Sequence, residues 1–161
     1  QLPNNGDIYI VRLSSGSMEP TLSLGAYLSV EKSQKTISLP GELVLFWNSP
    51  AKTRPLLYIR RVIAVENSAV HIRDCLEYPR EECGVVVDGV KLTGELFERK
   101  YYAGGNMKSE TWKVPAGAVF LLADNSRNAL DSRHWGFIDT KSVYGVVKGK
   151  SHPSQYARLA H

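Results

Sequence analysis

The chain has 161 residues, with 20 lysines and arginines against 16 aspartates and glutamates, and a net charge of +4 at neutral pH. Its 43% hydrophobic and 22% charged residues are typical of one folded domain and exclude a disordered chain. The basic residues are scattered and are not interleaved with a stripe of aromatics, so we expect no nucleic-acid partner.

Short alternating or β-branched apolar runs predict strands along the whole chain. In chain order these runs are residues 8–13, 27–31, 43–47, 58–65, 85–87, 119–122 and 143–147. Turn residues such as Pro40-Gly41 and Pro115-Ala116-Gly117 separate them. No helical stripe runs longer than about two turns. The pattern therefore predicts an all-β fold, as a closed or sandwich-like sheet.

Residues 66–113 differ from their surroundings in composition. They contain an acidic, turn-rich cluster and Asp88-Gly89, which predicts a hairpin between residues 85–87 and 90–92. We predict that 66–113 form an inserted β subdomain on a core made of residues 1–65 and 114–150. Residues 151–161 have little apolar content and are expected to form a short helix or a frayed end.

No segment of this chain is expected to cross a membrane. The longest apolar stretch, residues 114–123, has about ten residues and contains Pro and Gly, against the roughly 20 that a bilayer requires. The first residue is Gln1 and no signal-like apolar segment follows it. We therefore expect the chain to be a fragment or a processed product.

Two cysteines, Cys75 and Cys83, lie eight residues apart in the acidic cluster. They are either unrelated thiols or a local disulfide, which would stabilise the fold by about 2–3 kcal/mol in an oxidising compartment. Zinc would need about four ligands, and only His71 is near, so we expect no metal. No other motif calls for a cofactor.

The segment Ser15-Gly16-Ser17-Met18-Glu19-Pro20-Thr21-Leu22 is a candidate nucleophile loop. A serine hydroxyl attacks only after a base withdraws its proton, and the resulting oxyanion needs donors. Gly16 and Pro20 favour a tight turn that could expose the Ser17 hydroxyl, and Ser15 would lie on the same side as a further donor. Ser-Gly-Ser alone is ordinary loop composition, but the whole octapeptide is much more specific.

Two cations interrupt the apolar segment Tyr58-Ile59-Arg60-Arg61-Val62. Strand alternation puts Arg60 and Arg61 on opposite faces, so they cannot both point into one core. The segment could be an edge strand whose arginines reach solvent or pair with carboxylates. The candidate partners are Glu31, Glu42 and Glu66.

A third segment, residues 123–137, carries Asp131 and Arg133, which are two apart and can form an ion pair on one face of the chain. In this order the three segments resemble the type I signal peptidases, serine proteases that cut leader peptides from exported proteins. The resemblance implies that Ser17 is the nucleophile and that Ser15 helps to bind the oxyanion. The family reads Tyr-Ile-Lys-Arg where this chain has Arg60, so Arg60 stands in the place of the lysine base.

A second departure from the family accompanies Arg60. The serine that hydrogen-bonds the lysine falls at Ala129, so the base and its partner are both replaced. A guanidinium is not expected to lose its proton in a protein. An arginine introduced to trap a substrate would explain Arg60 but not Ala129. Three other residues are considered as replacement bases: His134, His71 and Lys52.

The resemblance also implies an apolar wall that accepts the small side chains of Ala-x-Ala cleavage sites, although core packing is an equal alternative for each residue. Its members are Leu13, Met18, Leu22, Tyr58 and Ile59. The residues expected to support the site are Asp124, Asn125, Ala129, Asp131 and Arg133. Some signal peptidases of Gram-negative bacteria carry a nearby cystine, which favours the Cys75–Cys83 disulfide.

Two functions remain open at this stage. The chain could be a peptidase that cleaves signal peptides of preproteins with Ser17 and a divergent base. It could instead be an inactive homologue that binds an exported or secretion-apparatus polypeptide as a chaperone or assembly factor. In both cases the resemblance implies the periplasmic face of the bacterial inner membrane and an N-terminal anchor that has been cut away.

Overall fold

The computed structural model describes residues 8–32, 39–98 and 111–161, and most of their regular structure is strand, which confirms the all-β prediction. Among these residues, no helix is long and apolar enough to cross a bilayer. The strands are β1 (Ile8–Leu13), β2 (Tyr27–Lys32), β3 (Leu43–Asn48), β4 (Leu56–Val65), β5 (Ala69–Arg73), β6 (Gly84–Val87), β7 (Val90–Lys91), β8 (Thr111–Lys113), β9 (Ala118–Leu122), β10 (Ile138–Asp139), β11 (Val143–Lys150) and β12 (Arg158–Ala160). A single α-helical turn, α1 (Ser132–Trp135), and 3₁₀ turns at Pro50–Lys52 and Thr140–Ser142 complete the described elements.

Eight strands form one sheet in the order β10-β9-β4-β3-β11-β2-β1-β12. Its pairs are antiparallel except for β1 and β12, which run parallel. The alternation that predicted β1 has a physical basis, since Val11 and Leu13 are fully buried while Arg12 between them is exposed.

The other four strands form a second sheet in the order β7-β6-β5-β8. The predicted hairpin is confirmed, because Val87 pairs with Val90 and both turn residues, Asp88 and Gly89, have positive φ angles of 49° and 80°. Cys75 and Cys83 form a disulfide within the connection from β5 to β6. The strands of this sheet all come from residues 69–113. Treating 66–113 as a subdomain stays a proposal.

Strand β4 is shared by the hydrophobic cores. Leu57 and Ile59 pack in the core beneath β1, Val62 packs in a second core, and Ile63 packs in a third core under the four-stranded sheet. β9 is buried along its whole length, with Phe120 in one core and Leu121 in another. This double burial explains the unbroken apolar run from 119 to 122. Strand β4 therefore carries Arg60 into the middle of the protein.

The expectation for residues 151–161 was wrong. Residues 158–160 form strand β12, which lies between β1 and the first half of β4. The amide of Ser14 donates to the Ala160 carbonyl at 2.8 Å, and the amide of Ile59 donates to the His161 carbonyl at 3.0 Å. The segment has few apolar residues, so its own sequence does not predict a strand. It is a strand because it pairs with segments about 150 and 100 residues away in the chain.

Candidate functional site

Ser17 lies in the turn that follows β1, and only 4% of its surface is exposed. The turn is held by hydrogen bonds from the Glu19 amide to the Gly16 carbonyl at 3.2 Å and from the Leu22 amide to the Met18 carbonyl at 2.9 Å. The Ser15 hydroxyl is 3.0 Å from the Ser17 hydroxyl, and the Ser17 amide points at Ser15 Oγ from 3.4 Å. The two serines therefore share one side of the turn.

Asn125, in the connection between β9 and α1, holds this turn in place. Its side-chain amide donates to the Gly16 carbonyl at 2.9 Å, and its main-chain amide donates to the Ser17 carbonyl at 3.0 Å. An asparagine suits this position because one side chain and its own backbone supply both donors. Asn125 thus fixes the backbone on either side of Ser17.

Arg60 is buried, with 3% of its surface exposed, and its guanidinium reaches Ser17. Arg60 Nη1 lies 3.1 Å from Ser17 Oγ, 2.6 Å from the Ile59 carbonyl oxygen and 3.0 Å from the His161 carbonyl oxygen. Arg60 Nε donates to the Leu130 carbonyl at 2.8 Å. Because Nε and Nη1 both donate to carbonyls, the nitrogen that meets Ser17 carries protons and offers no lone pair to accept another.

Two aromatic rings flank this cation. The Arg60 guanidinium carbon is 5.6 Å from the centre of the Tyr58 ring and 5.4 Å from that of Trp135, and the two rings meet edge to face. Aromatic faces attract a cation most strongly where it is desolvated. Burial lowers the pKa of Arg60 to about 10, while the carboxylate of Asp131 opposes that shift. Even at that pKa, about one molecule in a thousand is neutral at pH 7.

Arg61 points to the opposite face of β4, as the alternation predicts, and it does not reach the site of Arg60. Its Nε and Nη2 donate to the two carboxylate oxygens of Asp124 at 2.8 and 2.7 Å. Thr21 donates to the same carboxylate at 2.5 Å. The edge-strand interpretation was wrong, because β4 is central, and the carboxylate that Arg61 pairs with in this site is that of Asp124.

Asp131 and Arg133 form the expected same-face ion pair. Arg133 Nε donates to one oxygen of Asp131 and its Nη2 to the other, both at 2.9 Å, and both side chains are buried. Asp131 also caps α1 and accepts the Ala123 amide at 3.0 Å. Burial raises the pKa of Asp131, but contacts with His134 and Arg133 lower it further than burial raises it. The pair locks the segment that carries Leu130 against β9.

The predicted apolar wall is buried. Leu13, Met18, Leu22 and Ile59 pack in one core, where Ala129 and the fully buried Ala160 join them. Tyr58 is half-buried instead; it stacks on Phe46 and meets Trp135 edge to face. A substrate role for these residues stays a prediction, and the structure adds that β12 covers this part of the core.

None of the suggested replacement bases approaches Ser17 in this arrangement. His134 belongs to α1, where its Nδ1 lies 3.2 Å from the Asp131 amide and completes the cap. His71 lies on β5 in the other sheet, edge-on to Tyr78. Lys52 is exposed in a 3₁₀ turn. Within residues 8–32, 39–98 and 111–161, the hydrogen-bond partners of the Ser17 hydroxyl are Ser15 and Arg60.

Sequence reasoning missed several groups at this site. Trp135 lies within the third segment and could have been recognised as an aromatic partner for a buried cation. The carbonyls of Leu130 and His161 carry no side-chain signal, because every residue has one. The described part of the chain contains no group of three or more histidine, cysteine or acidic residues able to hold a metal.

Comparison with known proteins defines the class of this fold and site. The family model described as "Signal peptidase, peptidase S26" matches residues 7–150. The chain therefore belongs to the signal peptidase family.

Individual relatives agree with the family match. The chain is 31% identical over 142 residues to a protein named probable signal peptidase I-1 from Synechocystis, covering 83% of this chain and 65% of the relative. It is 39% identical over 61 residues to a signal peptidase I from Buchnera aphidicola, but this match covers only 38% of this chain and 18% of that relative. Several of these relatives are thus considerably longer than the matched segment.

One solved structure resembles the fold. A crystal structure of a signal peptidase I from Enterococcus faecalis matches 71% of this chain and 98% of its own chain, with a TM-score of 0.51 and 25% sequence identity. The similarity extends over most of both chains and agrees with the family assignment.

Proposed function

We propose that this chain binds the signal peptides of exported proteins beside Ser17, and that it cleaves them very slowly or not at all. One observation carries this proposal: the group that meets the Ser17 hydroxyl is a guanidinium which donates hydrogen bonds to it and to main-chain carbonyls. A general base must instead accept the serine proton. Membership of the signal peptidase family supplies the substrate class.

The charge state of Arg60 follows from its surroundings. The carbonyls of Ile59, Leu130 and His161 all accept from the guanidinium, and loss of a proton from Nη1 would remove a hydrogen bond to Ile59 or His161. Two aromatic faces favour the cation as well. Burial works against the charge, but a pKa of about 10 still leaves Arg60 protonated at neutral pH. Ser17 is therefore not activated.

The remaining features of a signal-peptide site support retained binding. The Ser15–Ser17 pair, the Asn125 clamp and the buried Asp131–Arg133 pair hold the turn and its supporting loop in fixed positions. The edges of β1 and β4 that residues 158–161 join lie next to Ser17, and an extended peptide in the place of those residues could pair with both edges. These features serve recognition even without a base.

The second candidate is a working signal peptidase that uses Ser17 as its nucleophile. The observation that favours it is the contact between the two serine hydroxyls, which would let Ser15 donate to an oxyanion formed at Ser17. In this case a hydroxide ion or the rare neutral form of Arg60 would have to accept the proton. If neutral Arg60 is the base, the rate rises about tenfold per pH unit up to a pH of about 10.

For location, we infer the extracytoplasmic face of the bacterial inner membrane. The Cys75–Cys83 disulfide supports this inference, because disulfides persist in oxidising compartments and are rare in the cytosol. The relatives named above are bacterial proteins.

The test uses an Ala-x-Ala leader peptide with a fluorophore at each end, incubated with the parent chain and with Ser17→Ala. Binding is followed by fluorescence anisotropy and cleavage by mass spectrometry. We expect both proteins to bind the peptide and neither to cleave it at pH 7. Cleavage by the parent that disappears in Ser17→Ala would establish the second candidate. Absence of binding by either protein would contradict both candidates.

A further inference from the structure

Strand β12 fills a groove that has the features of a peptide-binding site. Its walls are the free edge of β1 and the edge of β4 around Leu57 and Ile59, on the side of β4 away from β3. The Ser14 amide and hydroxyl both donate to the Ala160 carbonyl, at 2.8 and 2.9 Å. The His161 amide donates to the Leu57 carbonyl at 2.9 Å, and the Ile59 amide returns a bond at 3.0 Å. β12 thus bridges two strands that are not otherwise paired.

One side chain of β12 is buried in the groove. Ala160 is fully buried among Leu13, Met18 and Ile59, whereas Arg158 and Leu159 are exposed. A methyl group therefore anchors the strand, and its affinity comes mostly from main-chain hydrogen bonds. Such a strand buries little apolar surface and can be exchanged for another extended segment with a small side chain at the same place.

The end of β12 also engages the candidate site directly. The His161 carbonyl accepts from Arg60 Nη1, the same nitrogen that contacts Ser17, and the imidazole of His161 lies 3.0 Å from Ser14 Oγ and packs on Tyr58. Any polypeptide that approaches Ser17 along β1 must take the positions that Ala160 and His161 occupy. Access to Ser17 and the presence of β12 are therefore mutually exclusive.

We propose that β12 is an autoinhibitory strand, a built-in occupant of the peptide groove that an extended exported polypeptide must displace. The inference rests on the proposed function for the identity of that polypeptide, though not for the occupancy of the groove. Because the competent state is only partly populated, the apparent affinity of a peptide is reduced by the fraction of molecules in which β12 is bound.

The test compares Ala160→Glu, which puts a charge where a methyl group is buried, with Leu159→Glu at an exposed position on the same strand. Amide hydrogen exchange is read at Ser14 and Ile59, whose N–H groups bond β12, and at Leu13, whose N–H bonds the Ala26 carbonyl on the other side of β1. In Ala160→Glu we expect exchange at Ser14 and Ile59 to be faster by at least about tenfold, with Leu13 nearly unchanged. Leu159→Glu should match the parent.

Two labelled peptides are then added to the same proteins, the Ala-x-Ala leader and one with the sequence of residues 154–161. Both should bind Ala160→Glu at least about tenfold more tightly than they bind the parent, and should restore the protection of Ile59. Equal leader binding by the parent and Ala160→Glu would overturn autoinhibition while leaving the proposed function standing. Binding of the 154–161 peptide without leader binding would contradict the proposed function while leaving the exchangeable strand β12 standing.

Amide protection in β5 and β6 checks whether Ala160→Glu is folded. The parent chain provides a second measurement that does not depend on that variant. If β12 leaves the groove on its own, Ser14 and Ile59 in the parent exchange at least about tenfold faster than Leu13 through local opening. Equal exchange of the three amides, governed by global unfolding, would show that β12 is a fixed part of the sheet and would refute the proposal.

Discussion

Arg60 Nε donates to the main-chain carbonyl of Leu130, the residue that follows Ala129. By the resemblance to the type I signal peptidases, Arg60 and Ala129 are expected to replace a lysine and a serine. A serine hydroxyl can adapt to a neutral amine by donating or accepting, whereas a carbonyl only accepts. A carbonyl partner therefore suits a permanent cation.

Restoring both family residues should restore a base. In Arg60→Lys with Ala129→Ser, we expect leader cleavage that rises with pH and levels off below the ordinary lysine pKa of about 10.4, because burial disfavours the charged amine. The measurement is kcat/KM of the fluorescent leader peptide from pH 6 to 10.

The matched control is the single change Ala129→Ser, which supplies the serine without the amine and should remain inactive at pH 7. Cleavage by the double variant should disappear when Ser17→Ala is added. A double variant that folds and binds leader but cleaves at no pH in this range would show that more than the base has been lost.

The Arg61–Asp124 pair should contribute substantially to stability. The side chain of Asp124 is fully buried and accepts both arms of Arg61 and the Thr21 hydroxyl, so Arg61→Ala would leave a buried carboxylate without its cation. We expect a loss of about 3 kcal/mol in the free energy of unfolding, measured by urea denaturation. Lys148→Ala is the control: its partner Glu31 is exposed, and the change should cost less than about 0.5 kcal/mol.

Acid should destabilise the protein through Asp131. The pKa of this carboxyl is lower in the folded chain than in the unfolded chain, so the stability that it contributes is present above the unfolded pKa of about 3.9. That stability is lost as pH falls through the folded pKa. Urea midpoints between pH 6 and pH 3 should fall in the parent and fall less in Asp131→Asn, which is already less stable at pH 6. Equal slopes would contradict this assignment.

The Cys75–Cys83 disulfide closes a short loop, and it should be detectable in untreated material. Intact mass should be two daltons below the dithiol value, and reduction should remove the difference. Replacing both cysteines with serine should cost about 2–3 kcal/mol on loop-entropy grounds, measured by urea denaturation. Two thiols that react with an alkylating reagent before reduction would contradict the disulfide.

The strands with strong periodicity could be predicted from the sequence, and their bounds differ little from the structure. Residues 8–13 coincide with β1, and residues 58–65 fall within β4. β5 was missed although Val70 and Ile72 alternate with His71 and Arg73, which is the pattern of a half-buried strand. β12 was missed because its three residues pair with a strand near the opposite end of the chain, and only tertiary contacts stabilise them.

The candidate site was partly predictable for the same physical reasons. Ser15, Ser17, Arg60, Asp131 and Arg133 bear chemistry in their side chains, and the structure brings them into neighbouring positions. The acceptors that hold Arg60 are main-chain carbonyls, which have no residue-specific signal. Sequence could thus suggest which groups meet, but not that the guanidinium would be fixed by the main-chain carbonyls of Leu130 and His161.

The bridging position of β12 has a consequence for solubility. With β12 in place, the main-chain groups of β1 and of the first half of β4 are satisfied within the molecule. If β12 leaves, two strand edges are exposed, and exposed edges can pair with other molecules and cause self-association. A leader peptide that replaces β12 would cover the same edges. We therefore expect the domain to stay monodisperse as long as either β12 or a peptide is bound between β1 and β4.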